Sequence, residues 1–166
     1  MTHVKIIVPL VITALLAVAT LAPSASARTS GQATIVETAA TAGQFKTLTM
    51  LLKRAGLVST LEKPGPYTVF APTDAAFKKV PKATLNALLG DKAKLKAVLL
   101  YHVLAGKVTA ADVVKLTSAK TANGQTLRIR VAGSNVFVNR SKVTKPDVIA
   151  SNGVIHVINR VLIPAT

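Results

Sequence analysis

The chain has 166 residues, with 21 Lys and Arg against 6 Asp and Glu, a formal net charge of +15 and no cysteine or tryptophan. The missing cysteine excludes a disulfide scaffold, a thiolate metal site, a cysteine nucleophile and attachment through a lipidated cysteine. Half of the residues are hydrophobic, too many for a disordered basic tail, and the length predicts one domain of ordinary size.

Residues 1–27 read as a secretory signal peptide. Lys5 supplies a positive start, Ile6 to Ala22 is apolar except for Pro9, Thr13 and Thr20, and Ala25-Ser26-Ala27 is an A-x-A cleavage site. An uncleaved anchor is the alternative, but a span needs ~20 apolar residues and this run is shorter and carries a proline. Cleavage leaves 139 residues from Arg28 to Thr166 and removes one cation, Lys5, so the net charge becomes +14. Residues 28–33 read as a linker and 34–166 as a single domain, with no later stretch apolar enough to span a bilayer.

Helical signals fill the first half. Thr34 and Glu37 have the spacing of a capping box, and Gly43 ends that short helix. Phe45, Leu48, Leu51, Leu52 and Ala55 recur on one helical face, stopped by Gly56. Pro64-Gly65-Pro66 is a turn, and Tyr67 to Phe70 is a short strand stopped at Pro72. Thr73 or Asp74 caps a turn carrying Ala76, Phe77 and Val80. Pro81 precedes a helix with Leu85, Leu88 and Leu89. Asp91 caps a longer one with Leu95, Val98, Leu99 and His102 on one stripe, expected to run to Gly106.

The second half changes period. Leu127, Ile129 and Val131 alternate with Arg128 and Arg130. A two-residue loop at Gly133-Ser134 pairs Val131 with Val136 and Ile129 with Val138, one face being core. Arg128, Arg130, Phe137 and Asn139 fall on the other face. Asn152-Gly153 marks a turn before the strand Val154 to Ile158, and Leu162 and Ile163 complete the core. Helices first and strands later predict an α+β domain.

Three motifs in order now carry a resemblance. They are TVFAPTDAAF from Thr68 to Phe77, the Tyr101-His102 pair inside LLYHVLAGKV, and NGVIHVINRVLIP from Asn152 to Pro164. Together they resemble the fasciclin (FAS1) domain family, most of all its secreted single-domain bacterial members, over nearly the whole chain from Thr34 to Pro164. The resemblance implies the FAS1 fold, a wedge-shaped β-sandwich of about seven strands with packed helices. It also implies an extracellular adhesion module with no enzymatic activity and no cofactor.

The resemblance assigns roles residue by residue. Thr68, Phe70, Pro72, Thr73, Asp74 and Phe77, with Asn152, Gly153 and His156, look structural. Many members carry Asn at the place of Asp74, and either residue can cap; a partner contact at Asp74 is the alternative. His102 reads as a buried histidine tying helix to sheet, although in animal members the Tyr-His segment is implicated in integrin adhesion. That role would fall on Tyr101 and His102. An Asp followed by an aliphatic pair has a similar role in some animal members and maps to Asp147, Val148 and Ile149, with Lys145 where those members carry an acid or amide. The structural alternative is a loop in which Asp147 caps a turn and Val148 and Ile149 are core. Asn159 stands where Asp is common.

Neither catalysis nor metal binding has support in the spacing. There is no GxSxG, and the two histidines of the mature chain lack an HExxH-type pattern. The charge is the feature that fold explains least. Arg128 and Arg130 project together beside Phe137, where a guanidinium can lie over the ring, and Arg140 and Lys142 follow. Such a face attracts polyanions at low salt, or serves solubility alone. Six aromatic residues and no reading motif argue against nucleic acid. The expected partner is an extracellular or cell-surface protein, or an anionic polysaccharide of envelope or matrix, bound by a monomer.

Overall fold

The computed structural model describes residues 33–164; the signal peptide assigned to residues 1–27 and most of the linker lie outside them. Seven helices and seven strands occur among the described residues, so the α+β class holds. Helix α1 (Ile35–Thr41) starts at the expected capping box. The Glu37 amide donates to Thr34 Oγ1 at 3.3 Å and the Thr34 amide to Glu37 Oε2 at 2.8 Å. Helix α2 (Lys46–Ala55) buries Leu48, Leu51, Leu52 and Ala55 and ends at Gly56. Gly56 has φ 71°, and this left-handed cap costs glycine no Cβ clash. Single-turn helices α3 (Val58–Leu61) and α4 (Asp74–Lys78) follow, then α5 (Lys82–Gly90), α6 (Lys92–Tyr101) and α7 (Ala110–Val113). Asp91 caps α6 by accepting the Ala93 and Lys94 amides.

The strands are β1 (Tyr67–Pro72), β2 (Val103–Ala105), β3 (Ser118–Lys120), β4 (Thr126–Ala132), β5 (Asn135–Val138), β6 (Ser141–Ala150) and β7 (Gly153–Ile158). They form one sheet in the order β2-β1-β7-β6-β5-β4-β3. All neighbours are antiparallel except β1 and β7, which run parallel from Tyr67 opposite Gly153 to Pro72 opposite Ile158. Neither strand of this parallel pair is an edge, and every residue of β7 is buried, as parallel strands covered on both sides are. The sheet curls until its two edges meet. Leu104 bridges Thr121, and the Ala122 amide donates to the Val103 carbonyl at 2.7 Å, so the sandwich is close to a closed barrel.

Two cores follow from strand alternation. Val69, Ala71, Ile155 and Val157 face the helices and pack with Leu48, Leu51, Leu95 and Leu99. Phe70 and Ile158 face the inside of the curled sheet with Tyr101, Leu104, Leu127, Val138 and Leu162. Each fully buried leucine or phenylalanine contributes roughly 1.5–3 kcal/mol.

The hairpin of β4 and β5 has the expected register, with Ile129 opposite Val138 and Val131 opposite Val136. Its core face is shorter than expected. Leu127, Ile129 and Val138 are buried, but Val131 is 43% exposed because the hairpin tip extends past the inner core. Asn139 does not share the outer face either. It occupies the β5–β6 turn at φ 55° and its side chain turns toward Tyr101. The α6 helix ends at Tyr101 rather than Gly106, since Val103–Ala105 leave it to pair with β1. Gly106 instead closes β2, its amide bonded to the Pro66 carbonyl. Ile163 is 47% exposed and adds nothing to the core that Leu162 completes.

Candidate functional site

His102 is buried at the C-terminal cap of α6. Its Nδ1 lies 2.7 Å from the Val98 carbonyl and its Nε2 lies 2.9 Å from the Leu162 amide. An amide can only donate, so Nε2 is the bare nitrogen and Nδ1–H donates to Val98. Burial holds the pKa down, to about 4 from 6.5, against the opposing hydrogen bond to Val98. The ring is therefore a neutral pin between helix and C-terminal segment. Tyr101 is buried beside it, with its hydroxyl accepting from Asn139 Nδ2 at 3.0 Å. Both side chains are buried and hydrogen-bonded within the domain, as the structural reading of His102 expects.

His156 is a second pin. Its Nε2 lies 2.8 Å from the Val108 carbonyl, its Nδ1 accepts the Asp147 amide at 3.3 Å, and its ring stacks on Phe70 with centroids 5.5 Å apart. Burial lowers its pKa, against the Val108 bond and the Asp147 carboxylate. Thr68 Oγ1 donates to the Gly106 carbonyl at 2.7 Å and accepts the Val108 amide at 2.8 Å, which fixes the same loop to β1. Among the described residues, no three His, Asp or Glu side chains gather as metal ligands would.

Asp147 lies within β6, at a bulge, and not in a loop. Its φ of 52° is left-handed, a conformation Asp tolerates better than most residues. Its Oδ1 accepts the Ala110 amide at 2.8 Å and so caps α7. Val148 is half-buried against the helical core, whereas Ile149, expected as core or as adhesive, is 46% exposed.

The remaining motif residues build the frame. Thr73 caps α4, and Asp74 caps a different helix, accepting the Thr47 amide in the first turn of α2 at 2.8 Å. Burial raises the Asp74 pKa, but the hydrogen bonds from Thr47 and Lys46 outweigh it and the net shift is downward. Pro72 ends β1, where a missing N–H does least harm, and Phe77 closes over the helical core. Asn152 accepts the Ile35 amide at 2.9 Å and donates to the Leu61 and Lys63 carbonyls, stapling α1 and α3 to the sheet. At Gly153 a Cβ would stand 1.9 Å from the Tyr67 carbonyl oxygen, so only glycine allows this approach of β7 to β1.

Both histidines, Thr68 and Asn152 are engaged, and among the described residues Thr49 Oγ1 is the buried side-chain atom without a partner; the uncommitted charged chemistry is on the outer sheet face. Register places Arg130, Phe137 and Lys142 in one row across β4, β5 and β6. The row continues to Asn159, whose Oδ1 accepts the Lys142 amide at 3.0 Å and whose amide donates to the Lys142 carbonyl at 3.1 Å. The Arg130 guanidinium lies 5.4 Å from the Phe137 ring centroid, as expected. These residues, with Arg140 and Arg160, line an open depression of about 420 Å³. Arg128 is exposed on the same strand but opposite Ser118, outside the depression. Arg160 was not among the expected contact residues. It follows the last strand, and only the pairing of its carbonyl with Ser141 Oγ brings it to this face.

A model of the fasciclin domain family matches residues 43–164. The protein sll1483 of Synechocystis sp. is 46% identical over 140 residues, 83% of this chain and 77% of that protein. The transforming growth factor-beta-induced protein ig-h3 of Sus scrofa is 39% identical over 121 residues, 73% of this chain and 18% of the longer protein. Among solved structures, a FAS1 domain pair from the insect cell adhesion molecule fasciclin I aligns with a TM-score of 0.60 at 20% identity. It covers 76% of this chain and 47% of the pair, a likeness of fold.

Proposed function

We propose, from the premise that this chain belongs to the fasciclin domain family, that it is a secreted, non-enzymatic adhesion or matrix-interaction module. It works by surface complementarity with an extracellular or cell-surface partner. One observation carries this reading. Both imidazoles and the Asp147 Oδ1 are committed to backbone groups, while among the described residues the cations of the outer face have no acidic partner. Among the described residues the ion pair seen is Lys94 with Asp91, on α6 and its cap. A catalytic base needs a free nitrogen or oxygen beside an accessible space, whereas a binding module needs unpaired groups on its surface. Also among the described residues, no helix is long and apolar enough to cross a membrane.

Two experiments test the reading. Mass spectrometry of the protein recovered from the medium of its producing cells should give a chain beginning at Arg28. Wells coated with that chain should retain those cells above an albumin-coated control, and equal retention on both would refute the adhesive role.

A further inference from the structure

We propose that the depression between Arg130, Arg140, Lys142 and Arg160 is a binding site for an extended anionic polysaccharide, carboxylated or sulfated. The inference rests on the reading of the chain as a binding module and names what this face of it binds.

Charge is the first argument. Among the described residues, four cations line the depression and no acid does. Lys79 extends the set, its Nζ donating to the Asn159 carbonyl at 3.3 Å on the rim. Three of the five are arginines, whose planar forks bind carboxylate or sulfate oxygens in pairs.

Layout is the second argument. Arg130, Phe137 and Lys142 sit directly opposite one another on three successive strands. Neighbouring strands lie ~4.8 Å apart, so the Arg130 and Lys142 backbones are ~10 Å apart. Cations spaced along a row in an open concavity match a chain with repeated charges better than one compact anion. The row runs across the strands, so such a chain would lie perpendicular to them.

The aromatic content chooses between polymers. Single-stranded nucleic acid binds through successive rings on which bases stack. Here there is one ring, Phe137, already covered by the Arg130 guanidinium. What remains is recognition of charge without base stacking.

Asn159 makes the proposal testable without disturbing the fold. Its Oδ1 holds the Lys142 amide, and a carboxylate oxygen can hold it equally well. Asn159→Asp therefore keeps that bond and places one negative charge among the cations. The probes are immobilised heparin, for sulfate, and polygalacturonate, for carboxylate. Binding is read from about 0.01 M to about 1 M ionic strength, over which the screening length falls from about 30 Å to about 3 Å. The variants are Asn159→Asp, the pair Arg130→Gln with Arg160→Gln, and a control of equal charge change on α6, Lys92→Gln with Lys96→Gln.

At the lowest salt, Asn159→Asp and the arginine pair should each bind at least one of the two probes about tenfold or more weakly. The log-log salt slope should fall by about two for the arginine pair, about one per cation lost. The α6 control should stay within about twofold of the unaltered chain. Equal losses in the control and the groove variants would overturn the site in favour of net charge alone. So would tighter binding to oligothymidylate or to phosphatidylglycerol vesicles than to either polysaccharide. If neither polysaccharide binds while coated wells still retain cells, this inference falls and the module reading stands.

Discussion

Acid should weaken this domain between pH 6.5 and about 4, and His102 makes the amount calculable. The folded ring has a pKa of about 4 and the unfolded ring 6.5. As pH falls through this interval, the unfolded chain takes up a proton that the folded chain refuses. Stability is therefore fully present above 6.5 and declines as pH drops toward 4. A gap of about 2.5 units corresponds to about 3 kcal/mol, a sizeable part of an ordinary domain's 5–15 kcal/mol. His156 is also lowered and adds in the same direction. Asp74 and Asp112 are held below 3.8, so what they contribute is lost only at still lower pH, outside this window. The assay is urea unfolding at half-unit steps from pH 7.5 to 4, beside His102→Gln. The unaltered chain should lose stability with a slope approaching, per fully coupled histidine, about 1.4 kcal/mol per pH unit. The variant should start about 1–3 kcal/mol lower, because a hydrogen-bonded buried group is gone, and should keep only the shallower slope due to His156. A flat profile in the unaltered chain, or an NMR titration placing the His102 ring near 6.5, would refute the reasoning.

Three further predictions concern the frame. Gly153→Ala should destabilise by about 3 kcal/mol or more, because the added Cβ meets the Tyr67 carbonyl oxygen and β1 and β7 must part; an unchanged urea midpoint would show that the strands separate without cost. Asp74→Ala should cost about 1 kcal/mol through the lost cap on α2, and Asp74→Asn should recover most of it in the same unfolding assay. Asp147→Ala should cost about 1–2 kcal/mol, since it removes the α7 cap and places a Cβ residue without a local polar contact at a left-handed φ. Asp147→Asn should stay within about 0.5 kcal/mol of the unaltered chain in melting experiments.

What could be read from the residues was local and repeated. Thr34 with Glu37, Gly56, Asp91 and the Gly133-Ser134 loop each act over a few positions, and each does what its spacing indicates. The short elements α3, α7, β2 and β3, of three or four residues each, are too brief for a periodicity to register. The end of α6 escapes the sequence for a different reason. Nothing near Val103 breaks a helix, and the strand exists because β1 offers an unpaired edge far away in sequence. Tyr101, His102 and Asp147 drew notice as polar groups in apolar surroundings, but their partners, Asn139, Leu162 and Ala110, lie 38, 60 and 37 positions away. The basic depression was half legible. Alternation placed Arg130 over Phe137, while Arg160 and Asn159 join them only through the pairing of β6 with β7 and the turn beyond it.

The parallel pairing of β1 with β7 bears on how the chain comes to be folded at all. Tyr67–Pro72 wait for Gly153–Ile158, about 86 residues downstream. During synthesis the helices and β1 emerge long before the strand that completes them, so both cores stay open until β7 has been made. Contacts this distant place the domain among slow folders, from milliseconds to seconds, because a large loop must close before any reward is collected. The strand β7 therefore acts as a latch: the domain locks only once Gly153–Ile158 are available to pair with β1.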